Sequence, residues 1–496
     1  WNYFPHAHAR SRVYRWGEDG IAGISDRFQN LCFSVAMWNG KDSIIKERLY
    51  GMTGHDGNHG EDCKELYYYL DNTPTHSYMK YLYKYPQAKF PYTRMLNENK
   101  KRSKLEREYE ILDTGVFDDN KYFDVFIEYA KEGPEDICIK ITAVNRGGAD
   151  AELSLLPTLW FRNLWSFGLS KHKGSITNIE GLEGFEGVKA AHHRIGTFNL
   201  YYETPQKKLF TDNETNMERI FGTPNDTPFV KDLINDAIIK DDYEVINKKT
   251  SGTKFAPVFS GTVKAGESKV VKLRLTDLVL SENPFDAKFD ARFEKRIEEA
   301  DEFYEKFVPK GLSADLKNIQ RQGFAGMLWT KQYYEIDVEA WLDGDPGQPK
   351  PPASRRKGRN KDWKGLYNKD IISMPDKWEY PWYAAWDLAF HCVPLAMIDP
   401  EFAKNQLITI MREWYMAPNG QIPAYEWAFG DVNPPVQAWG VLKVYEIEKK
   451  HYGSSDVNFL KRAFSKLMLN FTWWVNRKDS QGKNIFEGGF LGLDNI

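Results

Sequence analysis

Apolar and polar positions alternate along much of the chain up to about residue 285. Phe123, Val125, Ile127 and Tyr129 form one run of period two. Ile137, Ile139, Ile141 and Ala143 alternate with Cys138, Lys140 and Thr142 after a turn at Glu132-Gly133-Pro134. Val271, Leu273 and Leu275 alternate with Lys272 and Arg274 after Ala265-Gly266-Glu267. Half-buried strands between Gly and Pro turns predict antiparallel sheets packed face to face, and a stretch this long favours a large sandwich over a small barrel. The expected fold is therefore multidomain β plus α, opening with an antiparallel β-sandwich over 1–284.

The period then changes. Phe285, Phe289, Phe293, Ile297, Ala300, Tyr304 and Phe307 fall at three- and four-residue steps with charges between them. That pattern predicts an amphipathic helix ended by Pro309, a linker over 285–312. Ser313 is a candidate N-cap for a helix reaching about Tyr334. Asp399-Pro400 opens another helix, Pro434-Pro435 a third, and a fourth begins near Ser455. Helices in series joined by long aromatic loops suggest paired α-hairpins, the first part of an (α/α)6 toroid over 313–496, with an all-helical region from about 310 onward. Because the sequence begins at Trp1 and stops inside a motif, it is read as a fragment, and its last helices are expected to expose an apolar face.

At 496 residues the chain is too long for one compact core. Its 67 basic and 70 acidic residues nearly balance, without a basic block of the kind that binds nucleic acid. No apolar run approaches the roughly 20 residues of a membrane span, and no secretory segment is visible, so the expected location is cytoplasmic. Cys32, Cys63, Cys138 and Cys392 are scattered as reduced thiols would be. Asn213, Asn225 and Asn470 lie in N-x-S/T sequons, which matter only in a secreted protein. Aromatic content is high at 15%, a supply that either sugar stacking or a large core would use.

Four loops carry candidate chemistry. Asp343 to Asp376 is a long Gly-, Pro-, Arg- and Lys-rich connection, read as a packed lid. In WEYPWYAAWDLAFH (Trp378 to His391), Asp387 stands beside Trp386 at the start of a helical run. A carboxylate among aromatics suits gripping sugar hydroxyls while rings stack on the pyranose, or it is simply favoured by the helix dipole. GQIPAYEWAFGDVNPPVQAW (Gly420 to Trp439) offers Glu426, Asp431 and Asn433 to vicinal hydroxyls, or Asp431 and Asn433 cap the next helix. The Gly-rich GGFLGLDNI (Gly488 to Ile496) places Asp494 where it could approach a glycosidic oxygen, or where it bonds its own turn.

Taken in order, these motifs resemble glycoside hydrolase family 63, the group that includes processing α-glucosidase I, in a bacterial form. The resemblance extends from YRWGEDGIAGISDRFQN (Tyr14 to Asn30) and GNHGEDCKELYYYLDNTPTHSYMK (Gly57 to Lys80), through TLWFRN (Thr158 to Asn163), to the helical loops. It implies a β-sandwich joined to an (α/α)6 barrel and hydrolysis of α-glucosidic bonds with inversion. By the same resemblance Asp494 is the general acid. Trp386 and Asp387 hold the terminal glucose, Glu426, Asp431 and Asn433 contact that sugar, and Tyr383, Trp427 and Asn495 are counted with the substrate contacts. The family's general base is a late Glu matched by no position here, so the fragment alone is expected to be inactive. The implied partner is an α-glucoside or oligosaccharide, with no cofactor.

Glu18, Asp19, His55, His59, Glu61 and Asp62 have metal-ligand side chains, but the histidines sit in a Gly-rich loop without helical spacing, so no metal is expected. Arg12, Arg15 and Thr73 to Tyr78 are read as bracing the barrel. Two other functions stay open: a non-catalytic carbohydrate-binding protein, and the same fold acting on an α-mannosidic or glucosyl-glycerate bond.

Overall fold

The computed structural model describes residues 6–52, 62–377, 384–425, 433–476 and 483. The chain divides into two compact units, Trp1–Lys306 and Phe307–Ile496.

Two antiparallel sheets build the first unit. The smaller runs in the order Ile24–Ser25, Leu31–Trp38, Ala151–Phe161, Lys254–Val263 and Lys207–Thr211. The larger has nine strands, and its centre holds the three runs of period two, now Tyr122–Gly133, Asp136–Asn145 and Ser268–Thr276. Alternation decides the faces: Val125, Ile127, Ile139 and Ile141 are fully buried between the sheets. The sheets meet through edge-on Phe33 and Tyr129, whose ring centroids are 6.2 Å apart, and through Tyr202 and Phe255 at 5.7 Å. Thr73 to Tyr78 forms the turn between Tyr67–Asn72 and Tyr78–Pro86, with His76 at φ +53°. Arg15 stacks on the neighbouring Trp16 ring, and Arg12 faces Phe221.

Helix α1 (Ala287–Glu305) lies on the outer face of the nine-stranded sheet, where Phe289, Phe293 and Ala300 pack with Tyr78, Ala130 and Cys138. The small side chains of Ala130 and Cys138 leave room for the two phenylalanines. Lys140 and Lys272 lie over the Phe293 and Phe289 rings, so their stems and charges finish the contact.

In the second unit, helix α2 (Ala314–Trp329) is capped by Ser313, whose hydroxyl accepts from Leu316 N. It stops five residues short of the expected Tyr334. Lys331–Asp337 instead forms a strand paired with Tyr367–Ser373, so this region is not all helical and the 343–376 connection is not structureless. The reason is local periodicity: Gln332, Tyr334 and Ile336 share one face, while Tyr333 and Glu335 share the other. The hairpin is fixed to the helices by Gln406, whose side chain accepts from Ser373 N and donates to Ile371 O. Helices α3 (Ala385–Ile398), α4 (Pro400–Ile410), α5 (Val436–Tyr452) and α6 (Val457–Asn476) follow. Asp399 alone separates α3 from α4 and caps α4 by accepting from Phe402 N, with Pro400 in the first turn. All four cysteines are free.

Candidate active site

Helices α3 and α5 run side by side in the same direction. At their N-terminal ends the Gln437 amide donates to Ala385 O at 3.4 Å, and at their C-terminal ends Tyr452 OH donates to Met397 O at 2.7 Å. Gly440 permits the closeness, since a Cβ there would lie 3.2 Å from Ala389 O. Helix α4 runs back between them, its buried Lys404 ammonium 2.9 Å from both Glu448 of α5 and Asp456 before α6. Two helix N-termini therefore open at one place, where their partial positive charge favours carboxylates and hydroxyl oxygens.

Asp387 occupies the first turn of α3, half-buried, with Trp386 before it. Trp386 meets Phe390 at 6.1 Å, and Phe390 meets Trp439 of α5 at 5.5 Å, so an aromatic row joins the two helix starts. His391 lies one turn beyond Asp387, its Nδ1 3.2 Å from Ser373 Oγ, and burial holds its pKa down, keeping the ring neutral. The segment before Tyr425 follows the start of α3, since Ala385 N donates to Ala424 O at 3.2 Å.

Asn433 is 6% exposed and stands ahead of α5. The cap position belongs to Pro435, which makes no side-chain bond, so Asn433 is not a helix cap. Both ends of its amide lack a hydrogen-bond partner among the described residues. Leaving a buried amide unpaired costs about 1–3 kcal/mol, a cost that a ligand hydroxyl or water would remove. The structure thus places Trp386, Asp387 and Asn433 on the converging starts of α3 and α5. Tyr383, Glu426, Trp427, Asp431, Asp494 and Asn495 lie outside the described residues. Gln437, buried just after the Pro-Pro opening, ties the two helix starts together.

Among the described residues no group of three or more His, Cys, Asp or Glu could hold a metal, and His55, His59 and Glu61 lie outside them. No described helix is long and apolar enough to cross a membrane.

Residues 380–489 match the family model of the mannosylglycerate hydrolase MGH1-like glycoside hydrolase domain. An uncharacterized protein of Saccharomyces cerevisiae, YMR196W, is 47% identical over 542 residues, covering 100% of this chain and 49% of the relative. The chain thus spans about half the length of the curated relative it matches. Among solved structures, a candidate kojibiose phosphorylase from human microbiome has TM-score 0.23 at 8% identity, over 97% of this chain and 59% of that one. The GH92-family glycosyl hydrolase ccman5 has TM-score 0.27 at 10% identity, over 96% and 64%. At such scores neither likeness bears on function. The second unit carries a glycoside-hydrolase-like stretch, and the match is to that broader class, not to family 63 in particular.

Proposed function

We propose that this chain contributes the sugar subsite and the proton donor of an inverting glycoside hydrolase acting on terminal α-linked glucose. The observation that carries this reading is the glycoside hydrolase match over 380–489, the stretch holding Asp387 and Asn433. Asp387 and the Asn433 amide take the sugar hydroxyls, with Trp386 stacked on the ring. Asp494 protonates the leaving oxygen, and a second carboxylate, matched by no position of this sequence, activates water from the opposite side, the two about 6.5–9.5 Å apart as inversion requires. In this reading 1–284 is the sandwich, 285–312 the joining helix, and the residues from 313 begin an (α/α)6 toroid. A second reading, cleavage of an α-mannosidic or glucosyl-glycerate bond, is favoured by the name of the matched family.

The test is a substrate series on the full-length protein with Asp494→Asn beside it. That change keeps the shape but removes the transferable proton, so turnover of glycosides with poor leaving groups should fall by about 10²–10⁴. Glucosyl fluoride, whose fluoride leaves with little protonation, should lose far less. Equal losses on both would place the acid elsewhere, and turnover of mannosyl- or glucosyl-glycerate alone would select the second reading.

A further inference from the structure

Lys46 and Glu65 meet where the two sheets of the first unit come together. Lys46 pairs through its backbone with Met37 of the strand Leu31–Trp38, and so extends the five-stranded sheet. Glu65 stands two residues before Tyr67–Asn72, the edge strand of the nine-stranded sheet. Both side chains are completely buried, and the Lys46 ammonium lies directly on Glu65 Oε1. Their surroundings are aromatic. Lys46 Nζ is 4.0 Å from the centre of the Phe90 ring and 4.8 Å from that of Tyr92, and Tyr50 stands edge-on to both rings.

Burying two charges costs more than their attraction returns unless the remaining donors and acceptors are also met. Here they are not. An ammonium has three N–H donors, and Glu65 Oε1 is the one acceptor that Lys46 Nζ reaches among the described residues. Glu65 Oε1 also accepts from Tyr50 N at 3.0 Å. The buried Oε2 has no hydrogen-bond partner, and neither has the buried Tyr83 hydroxyl that lies against Glu65. This inventory fits an amide better than an ion pair. An amide carries no charge, its one oxygen would keep the Tyr50 N–H, and its one N–H would face an aromatic ring.

We propose that Lys46 and Glu65 condense to an isopeptide bond that fastens one sheet to the other. Burial pushes the Glu65 carboxyl up, toward the neutral acid that an amine attacks, and the proton it takes is one that the touching ammonium gives up. Neutral Nζ adds to Cδ, and the charge that develops on Oε1 is met by the Tyr50 N–H. A second proton passes from Nζ to the Oε2 hydroxyl, with the Tyr83 hydroxyl placed to relay it, and Oε2 leaves as water. One N–C bond forms, one C–O bond breaks, and no oxidant or cofactor takes part. Holding the two groups in contact and away from bulk water replaces the activation that a free acid and amine would need. The bond belongs to the first unit and is independent of the reading of the second.

Mass spectrometry of the full-length protein tests it. A tryptic digest should contain the peptide Asp42–Arg48, uncut after Lys46, joined to Glu65–Lys80 and lighter than the two together by one water. Fragmentation should place the link at Lys46 and Glu65. Lys46→Met removes the amine and should return Glu65–Lys80 as a free peptide; the wild-type digest decides the matter if that variant does not fold. The proposal is overturned if folded wild-type protein yields Glu65–Lys80 only as a free peptide, if the link maps to another pair, or if a joined peptide of this kind persists in Lys46→Met.

Discussion

Asp387 sits in the first turn of α3, where a carboxylate is favoured by the helix dipole whether or not it has another task. The two roles separate on substitution. A charged hydrogen bond to a sugar hydroxyl is worth roughly 1.5–3 kcal/mol, so if the proposed reading holds, Asp387→Ala in the full-length protein should cost about one to two decades in kcat/KM. A dipole role alone would lower Tm slightly and leave kcat/KM unchanged. His192 offers a second test at this scale. Burial, reinforced by His193 and Arg194, pushes its pKa down to about 4. An unfolded chain takes up that proton near pH 6.5, so between about 6.5 and 4 the unfolded state holds more protons and stability must fall as pH falls. His192→Phe, which preserves the stack on Phe161, should shrink the drop in Tm between pH 7 and pH 5; an unchanged drop would exclude His192 as its source. Aromatic and turn residues cluster around Trp386, Asp387 and Asn433 in the sequence, and the structure sets all three at or just ahead of the starts of α3 and α5, leaving their role in the reaction to the substitutions. The approach of Gln437 to Ala385 was not legible, since 52 positions separate these residues and only helix packing brings them together.

At the scale of elements, the helix starts were written in local chemistry: Ser313 and Asp399 both cap as their positions suggest. The hairpin in the second unit was hidden because its strands pair Lys331 with Ser373, far beyond any local window. The five residues after Trp329 also fit a helical continuation until that partner is known. The placing of α3 beside α5 depends on Gly440, which neither a helix propensity nor a hydrophobic pattern would single out. Gly440→Val must push into Ala389 O and the Leu407 side chain, so it should destabilise the second unit by about 1–3 kcal/mol. Gly440→Ala should cost less, because the helix propensity gained, about 1 kcal/mol, offsets the tight contact. Denaturant midpoints of the two variants check this; a Val variant as stable as wild type would mean that the two helices do not need their close approach.

At the scale of the whole molecule, period two before residue 285 and the helical steps after it correspond to large antiparallel sheets and then mainly helices. Helix α6 presents Phe464, Met468, Leu469 and Phe471 to solvent, with Phe464 65% and Phe471 57% exposed. Such a face is an interaction surface or an aggregation hazard. In the proposed reading the protein hydrolyses a terminal α-glycosidic bond with inversion. Its most direct test follows the first product by proton NMR, faster than mutarotation, as full-length protein acts on a terminal α-glucoside. Inversion releases β-glucose first, which equilibrates to the α anomer afterwards. Appearance of α-glucose first, or no hydrolysis of any α-glycoside in the series, would contradict it.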